Sequence, residues 1–227
     1  MNEFIYEYSN ALQVEISDKI IELFEKYKKN HYIGSYNNIE NDKILQGRYC
    51  SKENLKLKNT IDLNIPIIFH ENYEFNEVMK ELVSNIKYHL KSYYNKLDNT
   101  IYFLNEISEN ISINNLLIHK FVKDKGMFTY HNDFLYDICH QQYRIFSFIY
   151  FLNDVEDGGE TEFLGVYKIK TEKGKLIIFP SEWFFPYIEK IPISNDKYTI
   201  TGWIYCGLQN TPKEQEEPED ARNNKNI

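Results

Sequence analysis

Apolar residues recur at a helical period in the first half of the chain. Residues 17–29 carry one apolar face, made of Ile20, Ile21, Phe24 and Tyr27. This spacing predicts a helix, with Ser17 as its N-cap. Residues 75–94 repeat the pattern over a longer stretch and predict a second helix, whose apolar face should pack on a sheet. Residues 31–72 between them are polar and irregular, apart from a strand-like run at 65–69.

After residue 99 the pattern changes to short apolar runs separated by turn signals. The predicted strands cover residues 116–122, 144–152, 175–179 and 197–206. Glycine-containing turns are expected at residues 157–159 and 173–174. Helices first and strands afterwards predict a mainly β (α+β) protein, in which one β-sheet domain over residues 1–207 is supported by N-terminal helices. The polar tail, residues 208–227, is expected to be disordered.

Composition and charge narrow the class of protein. With 227 residues, 42% hydrophobic and 16% aromatic, the chain can form one domain with a substantial core. The net charge of −8 disfavours a nucleic-acid partner. Cys50, Cys139 and Cys206 are far apart and odd in number, which indicates neither a disulfide framework nor a zinc site. The sequence contains no signal-peptide pattern and no stretch of transmembrane length, so we expect a soluble, cytoplasmic protein without a membrane partner. The bias toward Asn, Lys and Ile indicates an AT-rich genome.

His131, Asn132 and Asp133 form the first candidate for chemistry. On extended backbone, residues i and i+2 project to the same side, so the imidazole of His131 and the carboxylate of Asp133 can hold one metal ion. Two such ligands and one distant histidine make the facial triad of non-haem Fe(II) oxygenases. Alone, this pattern is weak evidence for a metal site, because it is more typical of a surface loop.

The strand that starts at Lys197 carries an unusual polar face. Strand alternation places four residues on one side, Lys197, Thr199, Thr201 and Trp203, opposite Tyr198, Ile200 and Ile204. An ammonium, two hydroxyls and an indole make a poor core but a good carboxylate pocket, because a buried lysine needs an anion. The alternative is a solvent-facing strand side, against which the large indole argues.

Together these segments resemble the iron- and 2-oxoglutarate-dependent oxygenases, in their prolyl 4-hydroxylase-like branch, and particularly the small bacterial and viral members. The family's ordered motifs correspond here to His131 and Asp133, the strand end at 150–154, the double-glycine turn at 158–161, the strand at 174–180, Lys197 and Trp203. The resemblance covers residues 5–207. It implies a double-stranded β-helix core of the jelly-roll or cupin-like kind.

The resemblance also implies an activity and its cofactors. Fe(II) would be held by His131 and Asp133, and Lys197 would bind the distal carboxylate of 2-oxoglutarate, with Thr161, Thr199 and Trp203 lining the same pocket. The resemblance also allows ascorbate as a reductant. The implied reaction is hydroxylation of a C–H bond in a peptide, the prolyl residue being the family's best-known target, or in a small molecule.

Two positions depart from the family's pattern. Tyr187 stands ten residues before Lys197, where the family has its distal metal-binding histidine, and Phe121 replaces a tyrosine that contacts the co-substrate. A third ligand from the Tyr187 phenolate, from water or from His140 remains open, although a phenolate favours Fe(III) over Fe(II). Two classes of function therefore follow: an active dioxygenase, or a catalytically impaired binding or scaffold protein with an incomplete metal site. A nucleobase-oxidising role is disfavoured by the net charge.

Overall fold

The computed structural model describes residues 2–28, 32–34, 56–65, 73–97, 111–138 and 141–207. Helix α1 spans Val14–Lys26 and helix α2 spans Tyr73–Leu97, close to the two predicted helices. Most of the remaining described chain forms strands. The predicted run at 66–69, His140 and the tail lie outside the described residues. In the described part of the chain, no helix is long and apolar enough to cross a membrane.

The start of α1 differs from the prediction. The N-cap is Gln13, which makes no side-chain capping bond, and Ser17 lies one turn inside the helix. The Ser17 hydroxyl donates to the Gln13 carbonyl at 3.3 Å, four residues earlier, so it returns to its own helix instead of capping it. The predicted N-cap was therefore wrong, whereas the predicted apolar face was right, since Ile20 and Phe24 are buried.

One large antiparallel sheet forms the side of the barrel on which the two helices pack. Its strand order is β1 (Tyr6–Tyr8), β10 (Leu176–Pro180), β7 (Gln142–Phe151), β12 (Lys197–Gly207), β4 (Ile111–Phe121) and β3 (Lys58–Ile65). Two short strands join it at the sides, β2 (Tyr32–Gly34) on β3 and β6 (Tyr136–Asp137) on β7. The four strands predicted from the sequence correspond to β4, β7, β10 and β12.

A smaller sheet faces the first one. It contains β5 (Met127–His131), β11 (Tyr187–Glu189), β8 (Thr161–Phe163) and β9 (Tyr167–Ile169), and β3 joins the two sheets by pairing with both β4 and β5. These strands are three to five residues long, too short to give a clear period in the sequence. The two curled antiparallel sheets form a double-stranded β-helix, which confirms the predicted fold class.

Two apolar clusters hold the layers together. The outer cluster packs α1 and α2 against the back of the large sheet, and it contains the predicted apolar stripe of α2. Asn85 of α2 fixes this contact, because its amide donates to the Ala11 carbonyl at 2.7 Å and accepts from the Tyr150 hydroxyl at 2.6 Å. The inner cluster lies between the two sheets and includes Ile149, Phe151, Phe163, Phe179 and Tyr187.

The double-glycine turn before β8 shapes the inner end of the barrel. Gly158 and Gly159 have φ values of 70° and 72°, a region that favours glycine. A side chain on Gly158 would also collide with the Ile191 carbonyl. The turn therefore needs glycine, and it presents the Gly159 carbonyl to the interior.

Candidate functional site

The candidate site lies between the two sheets, where β5, β11 and β12 come together. In the register of the small sheet, Tyr187 of β11 lies opposite His131 of β5 and opposite Phe163 of β8. A cavity of about 60 Å³ opens here, and its lining includes Lys58, His119, Asp133, Tyr187, Glu189 and Trp203. The motifs found along the sequence are thus brought into one region of the barrel.

His131 ends β5 as a buried, neutral imidazole. Its Nδ1 donates to the Thr129 carbonyl at 2.8 Å, and its ring stacks on Phe128 with 3.5 Å between ring centroids. Burial lowers the pKa of His131, and the nearby Asp133 only partly opposes this. Because Nδ1 carries the proton, Nε2 presents a lone pair, and this buried atom has no hydrogen-bond partner. Its distance to Asp133 Oδ1 is 4.0 Å.

Asp133 is fixed by two hydroxyl donors on one of its oxygens. Ser147 donates to Oδ2 at 2.7 Å, and Tyr187 donates to the same oxygen at 3.0 Å. Ser147 also shares a hydrogen bond of 2.8 Å with Ser181. One carboxylate oxygen is therefore already satisfied by the protein, and Oδ1 is the one that faces His131.

Tyr187 belongs to the inner apolar cluster and is only 3% exposed. Its ring contacts those of Phe163 and Phe179, with centroids 5.5 Å and 5.1 Å away. Burial raises the pKa of Tyr187 well above its usual value, and the charges of Asp133 and Glu189 raise it further. The side chain is therefore a protonated phenol whose proton points at Asp133.

Lys197 is fully buried and forms an ion pair with a residue of the chain itself. Its ammonium donates to Glu189 Oε2 and, at 2.6 Å, to the Gly159 carbonyl. Glu189 also accepts from the Thr161 hydroxyl, which lies 3.0 Å from both carboxylate oxygens. We call Lys197, Thr161 and the Gly159 carbonyl the Lys197 pocket, and the Glu189 carboxylate fills it.

A second buried charged group borders the same cavity. Asp62 of β3 accepts from Lys58 at 2.8 Å and from His119 Nδ1 at 2.7 Å. Burial by itself would raise the pKa of Asp62, but His119 and Lys58 outweigh it and hold the pKa below its usual range. The buried charged groups inside the barrel are thus paired with one another around a small space, whereas His131 Nε2 has no hydrogen-bond partner.

The other predicted site residues lie on β12, where the expected alternation is seen. Thr199, Thr201 and Trp203 are all buried, and Thr201 and Trp203 line the cavity. The opposite side of the strand supplies Ile200 and Ile204 to the outer cluster. The Arg144 guanidinium covers the Trp203 ring at 3.9 Å.

Sequence reasoning missed Glu189, and the signal for it was present. Glu189 stands two residues after Tyr187 on the same strand, so both side chains project to the same side. The i and i+2 rule that paired His131 with Asp133 would have placed a second carboxylate in the interior. Ser147, Asp62 and His119 carried no comparable signal, because each reaches the site from a different strand.

The donor set does not fit a three-ligand metal site. Within the described residues there is no group of three or more His, Cys, Asp or Glu side chains placed to hold an ion. His131 and Asp133 supply two donors, and the phenol of Tyr187 is protonated and already donates to Asp133. Two ligands hold a divalent ion less firmly than three.

Comparisons with known proteins agree with the fold. Residues 116–205 match the family described as the 2OG-Fe(II) oxygenase superfamily. No match was found among curated protein sequences. The solved structures that align over most of the chain include three prolyl hydroxylases.

The first is the viral collagen prolyl hydroxylase of Paramecium Bursaria Chlorella virus-1, in a 2OG complex, with 16% identity, coverage of 89% of this chain and 96% of that one, and a TM-score of 0.58. A Pseudomonas putida prolyl-4-hydroxylase is 11% identical, with coverage of 90% of this chain and 92% of that one and a TM-score of 0.56. The third structure is a Trichoplax adhaerens prolyl hydroxylase in complex with a peptide fragment of the hypoxia inducible factor oxygen degradation domain. It is 16% identical, with coverage of 90% of this chain and 84% of that one and a TM-score of 0.59. At these identities the structural likeness establishes the fold.

Proposed function

We propose that this chain, which has the fold of prolyl hydroxylases and matches the 2OG-Fe(II) oxygenase superfamily over residues 116–205, binds a peptide without carrying out the oxygenase reaction. The observation that carries this proposal is the hydrogen bond from Tyr187 to Asp133. At the position of the family's third ligand, the chain has a phenol that keeps its proton. The expected iron site is thereby reduced to two donors.

The Lys197 pocket supports the same proposal. 2-Oxoglutarate is a dianion, and its distal carboxylate would have to displace Glu189 from Lys197 and Thr161. Without that displacement, two carboxylates would share one ammonium in a buried space, which repulsion and desolvation oppose. The residues present therefore do not fit this co-substrate.

A surface of aromatic residues next to Asp133 supports peptide binding. Phe134, Tyr136 and Tyr143, which we call the Tyr143 patch, are each at least 36% exposed. The rings of Tyr136 and Phe134 lie 4.5 Å and 6.2 Å from that of Tyr143. Aromatic rings give peptide ligands a large, rigid contact area. The Trichoplax relative of this fold holds a peptide fragment, which makes a peptide the first candidate ligand here.

The second candidate is the active dioxygenase, and one observation favours it. His131 Nε2 is buried, carries a lone pair and has no partner, while Asp133 Oδ1 lies 4.0 Å away. A buried acceptor without a partner costs stability, and a bound cation would satisfy it. Fe(II) held by His131 and Asp133 would provide the oxidising chemistry, with Lys197 released from Glu189 to bind 2-oxoglutarate.

An anaerobic titration separates the two candidates. Fe(II) and 2-oxoglutarate are added together to the wild-type protein, visible absorption is recorded, and succinate is measured after air is admitted. We expect no absorption band and no succinate above a protein-free blank. A matched Tyr187→His/Glu189→Val variant, which removes both obstacles, should bind Fe(II) more tightly than wild type. Succinate release by wild type that depends on Lys197 would establish the dioxygenase instead.

Peptide binding is tested on the Tyr143 patch. A panel of proline-containing peptides is screened by fluorescence anisotropy against wild type and Tyr143→Ser. We expect Tyr143→Ser to weaken binding about tenfold or more, as for a central aromatic contact. Tyr88→Ser is the control, since Tyr88 is 73% exposed on α2, away from the site. If both variants lose the same amount of peptide affinity, or if wild type binds no peptide, the Tyr143 patch is ruled out as the peptide-binding surface.

A further inference from the structure

We propose that Glu189 is a built-in carboxylate ligand of the Lys197 pocket, and that its removal turns this pocket into a binding site for acetate. This goes beyond the proposed function, because it concerns what the pocket recognises and does not depend on iron or turnover. The contacts between Glu189, Lys197 and Thr161 carry it.

The contacts around Glu189 are those of a bound anion. Its carboxylate receives the Lys197 ammonium on Oε2, and the Thr161 hydroxyl lies 3.0 Å from each oxygen. The second hydrogen bond of Lys197 goes to the Gly159 carbonyl, an acceptor without charge. Charge complementarity in the pocket therefore depends on one carboxylate.

Burial makes that carboxylate necessary. Lys197 is fully buried and Glu189 is 4% exposed. Among the described residues, Glu189 is the acid that lies within salt-bridge distance of Lys197. The rings of Phe121 and Phe151, 5.4 Å and 5.1 Å from the ammonium, complete an apolar wall. An ammonium in such a place needs a counter-ion, because the desolvation penalty of an unpaired buried charge is large.

The size of the missing group defines the ligand. Replacing Glu189 by Ala removes one methylene and one carboxylate, which together have the heavy atoms of acetate. Glu189 also lines the cavity of about 60 Å³, so truncation enlarges a space that already exists. Acetate can then occupy the vacated volume and meet Lys197 and Thr161 with the same oxygens.

Thermal unfolding of metal-free Glu189→Ala tests this inference. The midpoint is measured in sodium acetate and in sodium chloride at equal ionic strength and pH. In chloride we expect a midpoint about 10 °C below wild type, the size of the loss when one partner of a buried pair is removed. In acetate the midpoint should rise with the logarithm of acetate concentration, as for a ligand that binds only the folded state. Wild type should respond equally to both salts.

Two further variants make the result specific. Glu162→Ala also breaks a carboxylate–lysine pair, because Glu162 lies 2.6 Å from the ammonium of Lys190. Since Lys190 is partly exposed, the unfolding midpoint of Glu162→Ala should be the same in acetate and in chloride. Lys197→Met/Glu189→Leu removes both partners and should also lose the acetate response. If Glu189→Ala does not fold in chloride, the refolding yield in acetate against chloride replaces the midpoint. An identical response of Glu189→Ala to both salts overturns the proposal, and this failure leaves the iron and succinate test of turnover unaffected.

Discussion

Tyr187→Phe removes one oxygen atom from the centre of the barrel and tests the role of the phenol directly. The lost contact is a 3.0 Å hydrogen bond to a buried carboxylate, and Ser147 remains as a donor to the same Asp133 oxygen. Hydrogen bonds to charged groups contribute about 1.5–3 kcal/mol. Because Ser147 still satisfies part of the charge, we expect a loss of about 2 kcal/mol. For a domain of this size, that corresponds to a midpoint about 4–8 °C lower.

The assay is urea unfolding of wild type, Tyr187→Phe and a matched surface control. Tyr167→Phe deletes the same atom where the hydroxyl donates to Glu7 at 2.7 Å in an exposed position. Surface changes of this kind stay within about 0.5 kcal/mol. The difference between the two variants isolates the effect of burial on the Tyr187 hydrogen bond.

Two results would refute the reasoning about Tyr187. If Tyr187→Phe costs no more than Tyr167→Phe, then the bond to Asp133 does not hold the site together. If purified wild-type protein is blue or purple with Fe(III), and Tyr187→Phe is colourless, then the phenol has lost its proton and binds iron. The raised pKa of Tyr187, caused by burial and by nearby carboxylates, leads us to expect no such colour.

Two further predictions concern the sheet and its helices. Gly202→Ala should destabilise the domain by about 2 kcal/mol in urea unfolding, because the added methyl would overlap the Phe148 ring; a loss below about 0.5 kcal/mol would contradict the packing. Partial burial opposes ionisation of Glu25, but hydrogen bonds from Lys120 and Tyr198 lower its pKa to about 2. Because the pKa of Glu25 is lower in the folded state than in the unfolded state, the ionised carboxylate stabilises the fold at pH values above the unfolded-state pKa. Wild type should therefore be more stable than Glu25→Gln at pH 7, and this difference in unfolding free energy should shrink as the pH falls from about 4.5 to about 2. A gap independent of pH would exclude this ion pair as its source.

The fold could be predicted from the sequence where the pattern of apolar residues extends over enough positions to define a helix or a strand. The stripe of α2 and the runs of β4, β7, β10 and β12 gave their elements to within a few residues. The strands of the small sheet are three to five residues long, and their existence depends on pairing with distant partners. No local pattern in the sequence carries that information.

The candidate site shows a different limit. Alternation along β12 correctly placed Lys197 in the interior, and the physical argument that it needs an anion was sound. The anion assigned to it came from the family resemblance, whereas the structure supplies Glu189 from β11. Pairing between strands decides which charges meet, and one sequence does not contain that pairing.

The place of β12 in the large sheet has a consequence for how the protein is made. This strand is the last described one in the chain, yet it lies in the middle of the sheet and pairs with β4 on one side and β7 on the other. Until the ribosome has released residue 207, β4 and β7 each lack a partner on that edge, and the sheet exists only as two separate parts. Unpaired strand edges are sites of aggregation. The two parts of the large sheet are therefore joined only when β12 inserts between β4 and β7, and the same step brings Lys197 to Glu189.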